Sequence, residues 1–186
     1  MTRLTPTTSV LCVIDVQARL VPAMRDGEQV VARCRRLAEA ARLLAVTSVA
    51  TEQYPQGLGS TVPELADVLA APLPKTAFSC CGCEAFMAAL PPQATNVVLC
   101  GLETHVCVAQ TAFDLLGSGR SVFLAVDAVT SRHAVDHEVA LRRLERAGAV
   151  LTTSEAVLFE WCRDALHPQF QAVRKLVVGA ARPAAG

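Results

Sequence analysis

VVLCGLETHVCVAQTAFDLLGSG, Val97 to Gly119, passes from an apolar burst through a short polar turn into an apolar-periodic segment. The burst has the length and continuity of a strand buried on both faces. The segment from Thr104 to Leu116 has helical spacing, and Gly117 and Gly119 suit its closure. Strand, polar turn and helix in that order are the unit from which parallel sheets are built.

The same unit recurs on either side. SVLCVID (Ser9–Asp15) is another nearly continuous apolar run. Glu28–Ala45 comes next, with Val30, Cys34, Leu37, Ala41 and Leu44 at helical spacing. VTSVAT (Val46–Thr51) reads as the next strand, and the Gly- and Pro-rich EQYPQGLGSTVPE as a long polar connection. TAFS after Lys75 suits a short strand or turn, and Gly82–Leu90 a short helix stopped by Pro91 and Pro92. Further strands are expected at SVFLAVDA and AVLTTS, with helices over Ala134–Gly148, Glu155–Leu166 and Pro168–Val178. The expected class is α/β: a three-layer α/β/α arrangement around a mainly parallel sheet of five or six strands. Residues 1–178 read as one domain and 179–186, small and Ala/Pro/Gly-rich, as a flexible tail.

Composition excludes several classes. The chain has 186 residues, enough for one domain with a sizeable core, and 52% of them are hydrophobic. Lys+Arg and Asp+Glu both number 17, so there is no basic field for nucleic acid, and 4% aromatic residues offer few stacking platforms. The N-terminus lacks the apolar core of a secretory signal, and no apolar run is long enough to span a bilayer. The expectation is a cytoplasmic protein with neither nucleic-acid nor membrane partner, whose eight cysteines are thiols.

In parallel sheets, ligands bind beyond the carboxyl ends of the strands. That rule directs attention to Asp15, Thr51 to Gln53, Gly101 to Cys107, Asp127 to Arg132, and Thr152 to Ser154. Asp15 ends an apolar strand, where a carboxylate needs water, a cation or hydrogen-bond donors. Lys75, were it to face inward, would need a carboxylate. With Thr104 as N-cap, Cys107 falls in the first helical turn, whose unpaired N–H groups lower a thiol pKa and favour thiolate. The other reading of Cys107 is a small core thiol beside Val108 and Thr111.

At these positions the chain resembles the isochorismatase-like cysteine hydrolases, a superfamily that includes nicotinamidases and N-carbamoylsarcosine amidohydrolases. VIDVQ (Val13–Gln17), LPKTAFS (Leu73–Ser79), GLETHVCVAQTAFDLL (Gly101–Leu116) and DAVTSR (Asp127–Arg132) carry the resemblance. Thr51–Leu65, Thr153–Glu155 and His167–Phe170 are similar to one branch, the isochorismatase domain-containing protein 2 group with its bacterial members. The resemblance implies an Asp15–Lys75–Cys107 triad acting through a thioester on a small amide or related carbonyl compound. It also implies a cis Leu102–Glu103 bond, with the N–H groups of Glu103 and Cys107 forming an oxyanion hole. Gln17, which matches the family's Asp-x-Gln pattern, and Tyr54, Phe78 and His105 are candidate substrate-binding residues of the pocket. Oligomers are common in the family, so a homo-oligomer, dimer or larger, is expected.

The chain departs from the family in one loop. Metal-dependent nicotinamidases carry an Asp-x-His set after the second strand, whereas TEQYPQGLGST has only Glu52. No catalytic metal and no cofactor are expected. The presence of Cys107 favours acyl chemistry over isochorismate cleavage, which has no acyl-enzyme. Cys80-x-x-Cys83 lacks the second pair of a zinc site, although Cys80, Cys81 and Cys83 lie close enough to Lys75 in sequence to line a pocket. His133 and His137 lack the intervening Glu of a zinc-protease helix, and a solvated first turn is expected there. Phe78 and Trp161 are either pocket walls or core. The reading is a cofactor-independent cysteine hydrolase; its rival is a binding or interaction protein that kept the fold without efficient catalysis.

Overall fold

The computed structural model describes residues 3–179. The flexible tail expected over 179–186 lies, apart from Gly179, outside the described residues. Six strands form one sheet: β1 (Ser9–Ile14), β2 (Thr47–Gln53), β3 (Leu73–Lys75), β4 (Asn96–Leu102), β5 (Ser121–Thr130) and β6 (Val150–Thr152). Their order is β3-β2-β1-β4-β5-β6 and every pairing is parallel. The helices are α1 (Gly27–Leu43), α2 (Pro55–Leu58), α3 (Pro63–Ala66), α4 (Glu84–Ala89), α5 (Ala109–Gly117), α6 (Ala134–Arg146), α7 (Ser154–Cys162) and α8 (Phe170–Val178). Among the described residues no helix is long and apolar enough to cross a membrane.

The continuous apolar strands are explained by two cores. Along β1, Val10, Cys12 and Ile14 enter one hydrophobic layer, and Leu11 and Val13 enter the other. β4 and β5 alternate in the same way: Val97, Leu99, Val122 and Leu124 face one layer, Val98, Cys100, Phe123 and Ala125 the other. The period-2 rule of strands thus gives uninterrupted hydrophobic sequence wherever both faces are covered. Helices α1, α3, α7 and α8 cover one face, with Leu37, Leu65, Trp161 and Val173 buried. Helices α4, α5 and α6 cover the other through Phe86, Leu115 and Leu144. Burying each large side chain stabilises by about 1.5–3 kcal/mol. All eight cysteines are free thiols, six of them buried, so no disulfide supports these layers.

Two local features bear on the strand ends. The third strand is Leu73-Pro74-Lys75, and the TAFS beyond it takes the turn, the second of its two expected forms. Pro74 has no N–H to donate, and β3 tolerates it because it is the sheet's edge, paired with β2 alone. The second is Gly101, which has φ +112° and sits where the β4–β5 register shifts. A Cβ there would strike the Ile14 carbonyl oxygen, so β4 and β1 can approach only around a glycine. Gly101→Ala is expected to lose about 3 kcal/mol of stability. Urea unfolding measures it, and a loss within error of zero would refute the close approach.

Candidate active site

The connection from β1 leads to β2 on one side, and that from β4 leads to β5 on the other. The chain thus diverges between β1 and β4, opening a crevice at their carboxyl ends. Asp15 comes directly after β1, Gln53 ends β2, Lys75 ends β3, and the segment carrying Cys107 comes after β4. Residues far apart in sequence reach one place because all four strands point the same way.

Asp15 has φ +51°, a left-handed backbone uncommon outside glycine. The chain turns there, Gln17 N–H donating to the Asp15 carbonyl at 2.9 Å, and the Asp15 side chain is fully buried. Lys75 Nζ donates to Asp15 Oδ2 at 2.7 Å, and Thr51 Oγ1 donates to Oδ1 at 2.7 Å. Lys75 Nζ also donates to Gln53 Oε1 at 2.7 Å and to the carbonyls of Phe78 and Ala77 at 3.1 and 3.3 Å. Burial, the largest influence, would lower the Lys75 pKa, but the Asp15 carboxylate together with Cys80 and Cys107 outweighs it and holds the ammonium above its ordinary value. Removing two such charges from water costs several kcal/mol each, and a buried pair often stabilises no better than apolar residues of the same volume. Its placement in a crevice at the strand ends points to chemistry rather than to packing.

Cys107 lies beside this pair, and the local structure corrects the expectation for it. The helix start is a π turn, Thr104–Val108, in which Val108 N–H reaches back to the Glu103 carbonyl at 3.2 Å. Glu103, not Thr104, occupies the N-cap position, and the Thr104 hydroxyl is bonded to His137 Nδ1 at 3.0 Å. The Leu102–Glu103 bond is cis. Cys107 is 6% exposed, with Sγ 4.0 Å from Gln53 Oε1. The thiol pKa is not depressed: burial and then the Asp15 carboxylate push it well above the ordinary thiol value, and Lys75 offsets only part of this. The expectation from the helix terminus fails because it counted one electrostatic contribution and omitted desolvation and the neighbouring carboxylate. Iodoacetamide labelling of Cys107, read by peptide mass spectrometry, is therefore expected to be slow at neutral pH and still rising in alkaline solution. A plateau reached by neutral pH would contradict that direction.

The other residues selected from sequence occupy varied places. Gln17 is fully buried and committed to backbone: Oε1 accepts from Gln53 N–H at 2.8 Å, while Nε2 donates to the carbonyls of Gln53 and Gly59. Tyr54 is half exposed and lines a cavity of about 290 Å³ with Pro74, Lys75, Ala77 and Cys83. The Phe78 ring is also half exposed, and its carbonyl serves Lys75. His105 is engaged by Ser131 Oγ at 3.0 Å and stands 4.0 Å from Asp136, contacts outside the Asp15–Lys75 network. The Glu103 carboxylate pairs with Arg132 at 3.0 Å. Cys80 is buried, 3.6 Å from Thr51 Oγ1, and its thiol is pushed up to about 11 by burial and by Asp15. Glu52 has Oε1 occupied by the backbone N–H and hydroxyl of Thr61. Trp161 is core. In the first turn of α6, His133 is exposed as expected, whereas His137 is half buried against Thr104.

Thr51 and Gln53 are the residues that sequence reading passed over. Both lay among the strand-end positions, and period 2 puts them on one face of β2. That was the available signal. It did not distinguish them from ordinary strand residues until Asp15 and Lys75 were in place.

The chain is similar to known proteins over nearly its whole length. It is 46% identical to isochorismatase domain-containing protein 2 of Bos taurus over 175 residues, covering 94% of this chain and 85% of that protein. Among solved structures, the MAR1 ribonuclease of Caenorhabditis elegans superposes with TM-score 0.92 at 42% identity, covering 98% of this chain and 95% of that one. YcaC of Pseudomonas aeruginosa, solved with hexane-2,5-diol and covalent acrylamide, gives TM-score 0.88 at 26% identity, with coverages of 96% and 93%. The family description "Isochorismatase domain" matches residues 9–156, from the first residue of β1 into α7. Strand order, the crevice between β1 and β4, and this match agree, and the chain belongs to the isochorismatase-domain family.

Proposed function

We propose that the protein is a cysteine hydrolase that cleaves a small amide or related carbonyl compound through a thioester, with Asp15, Lys75 and Cys107 as its catalytic residues. The observation that carries the reading is the buried Lys75–Asp15 pair, 2.7 Å apart, held against the Cys107 thiol at the strand ends. The resting state is thiol, carboxylate and ammonium. As Sγ attacks the carbonyl carbon, its proton passes to Asp15, so no resting thiolate is required. The N–H groups of Glu103 and Cys107 stabilise the tetrahedral oxyanion. Asp15 then gives the proton to the leaving amine, and the C–N bond breaks to leave the thioester. Water, deprotonated by Asp15, attacks the thioester, and Cys107 departs as thiol. Lys75 stays paired with Asp15 between these transfers. Acrylamide is a small amide whose alkene reacts with thiols, and its covalent capture by the Pseudomonas protein supports looking for such reactivity here.

The protein acts without metal or cofactor, in the cytoplasm, as a homo-oligomer. Zero net charge gives no support to a nucleic-acid substrate, although the Caenorhabditis relative is described as a ribonuclease. The second reading, a binding protein with little catalysis, draws on one observation, the burial and raised pKa of the Cys107 thiol. An amide screen read by ammonia release, with Cys107→Ser as control, separates the two. Release that depends on Cys107 supports the hydrolase; release equal in the control, or none from any amide, favours the binding protein.

A further inference from the structure

Lys75 Nζ carries three protons and meets four oxygens. Asp15 Oδ2 and Gln53 Oε1, both at 2.7 Å, take one proton each, and the Phe78 and Ala77 carbonyls share the third. None is left for sulfur. The same Gln53 oxygen is 4.0 Å from Cys107 Sγ, so it faces both the ammonium and the thiol.

Gln53 is held in this orientation. Its Nε2 donates to the Thr76 carbonyl at 2.7 Å, and a flipped amide would set N–H groups against the ammonium and lose both contacts. Gln17 pins its backbone on either side, accepting from Gln53 N–H at 2.8 Å and donating to the Gln53 carbonyl at 3.0 Å. Gln53 is itself 8% exposed. Such a constrained buried amide is more than strand packing requires.

We propose that Gln53 is a positioning residue: its side-chain oxygen holds the Lys75 proton that would otherwise reach the Cys107 sulfur, and so keeps Lys75 committed to Asp15. The inference rests on the reading of Cys107 as nucleophile. In that cycle the thiol proton must go to Asp15. A Lys75 turned onto sulfur would instead stabilise a resting thiolate, whose nucleophilicity falls with its basicity. The ionisable groups around Cys107 are Asp15 after β1, Lys75 at the end of β3, and Cys80 in the turn before α4. Glu103 and His105, on or beside its own turn, are directed to Arg132 and Asp136, and His137 of α6 is bonded to Thr104.

The test is the pH profile of Cys107 labelling by iodoacetamide in the full-length protein and in two near-isosteric variants, read by peptide mass spectrometry. Gln53→Met removes the acceptor and frees an ammonium proton for sulfur, so the labelling midpoint falls by roughly one pH unit or more. Gln53→Glu grips the ammonium harder and repels the thiolate, so the midpoint rises by a similar amount, roughly one unit. Opposite signs are the expected result. Shifts in the same direction, or faster labelling at every pH with no change of midpoint, are what a packing role produces and would overturn the inference alone. Fluorescence of the buried Trp161 monitors folding. Should Gln53→Met not fold, an unchanged or lowered midpoint in Gln53→Glu overturns it. Wild-type Cys107 that never labels while the protein stays folded would overturn the hydrolase reading and this inference together.

Discussion

Cys107→Ala is expected to lower turnover about 10⁴-fold or more while the protein stays folded, because on the proposed thioester path every step passes through Sγ. The side chain is small and its removal deletes one heavy atom from the buried site, so stability changes by about 1 kcal/mol. The pair keeps its other hydrogen bonds without the thiol: Asp15 keeps Thr51 and Lys75, and Lys75 keeps Gln53. Ammonia release on a substrate found by the screen measures the activity, and thermal unfolding measures the fold. Activity within tenfold of wild type in a folded Cys107→Ala protein would remove the nucleophile, and with it the mechanism.

Lys75→Met gives the largest expected loss of stability, about 3–5 kcal/mol at neutral pH. The reason is what it leaves behind: a fully buried Asp15 carboxylate supported by the Thr51 hydroxyl without a counter-charge. On the proposed mechanism activity is expected to fall as well, since Asp15 loses the ammonium that pairs with it. The penalty belongs to breaking the pair, not to lacking it. Asp15→Asn combined with Lys75→Met should therefore recover much of the stability while remaining inactive, a coupling that a double-mutant cycle reads directly. Additive losses would show that the two groups do not act as a pair. The pH dependence has a definite sign. Lys75 is held above its ordinary value, so its contribution is fully present below the ordinary lysine pKa and is lost as pH rises through the raised folded value. The gap between wild type and Lys75→Met should stay constant through neutral pH and close only in strongly alkaline solution.

The legibility of the fold and of the site differed, for different physical reasons. The alternation of strand-length and helix-length apolar segments was open to reading because burial leaves a local imprint. β1 and β4 are covered on both faces and are apolar throughout, whereas α1 buries one stripe and shows a helical period. Strand limits were less legible. β2 continues to Gln53 and β5 to Thr130, two residues past the expected limit in each case, because these ends still pair in the sheet. The sequence leaves strand or turn open around Lys75 because Pro74 argues against a strand everywhere except at an edge, and edge status is a property of the assembled sheet.

By itself, the amino-acid sequence determined the α/β class, the parallel order of strand and helix, and the positions of Asp15 and Cys107 at or beyond strand ends. These come from periodicity and from the cost of burying polar groups, both of which act over a few neighbouring residues. Only the tertiary structure decided how those side chains are paired and protonated. Lys75 meets Asp15 at a sequence separation of 60 and Gln53 at one of 22, contacts that exist only once β1, β2 and β3 lie side by side. The Cys107 thiol is raised rather than lowered because its pKa sums burial and every nearby charge, and that sum is a property of the folded crevice. Gln17 and His105, both selected from sequence as pocket residues, were assigned other contacts by the fold: one locks the backbone of β2, the other turns to Ser131. A residue's type and place in the chain state what it can do; which partner stands 2.7 Å away decides what it does.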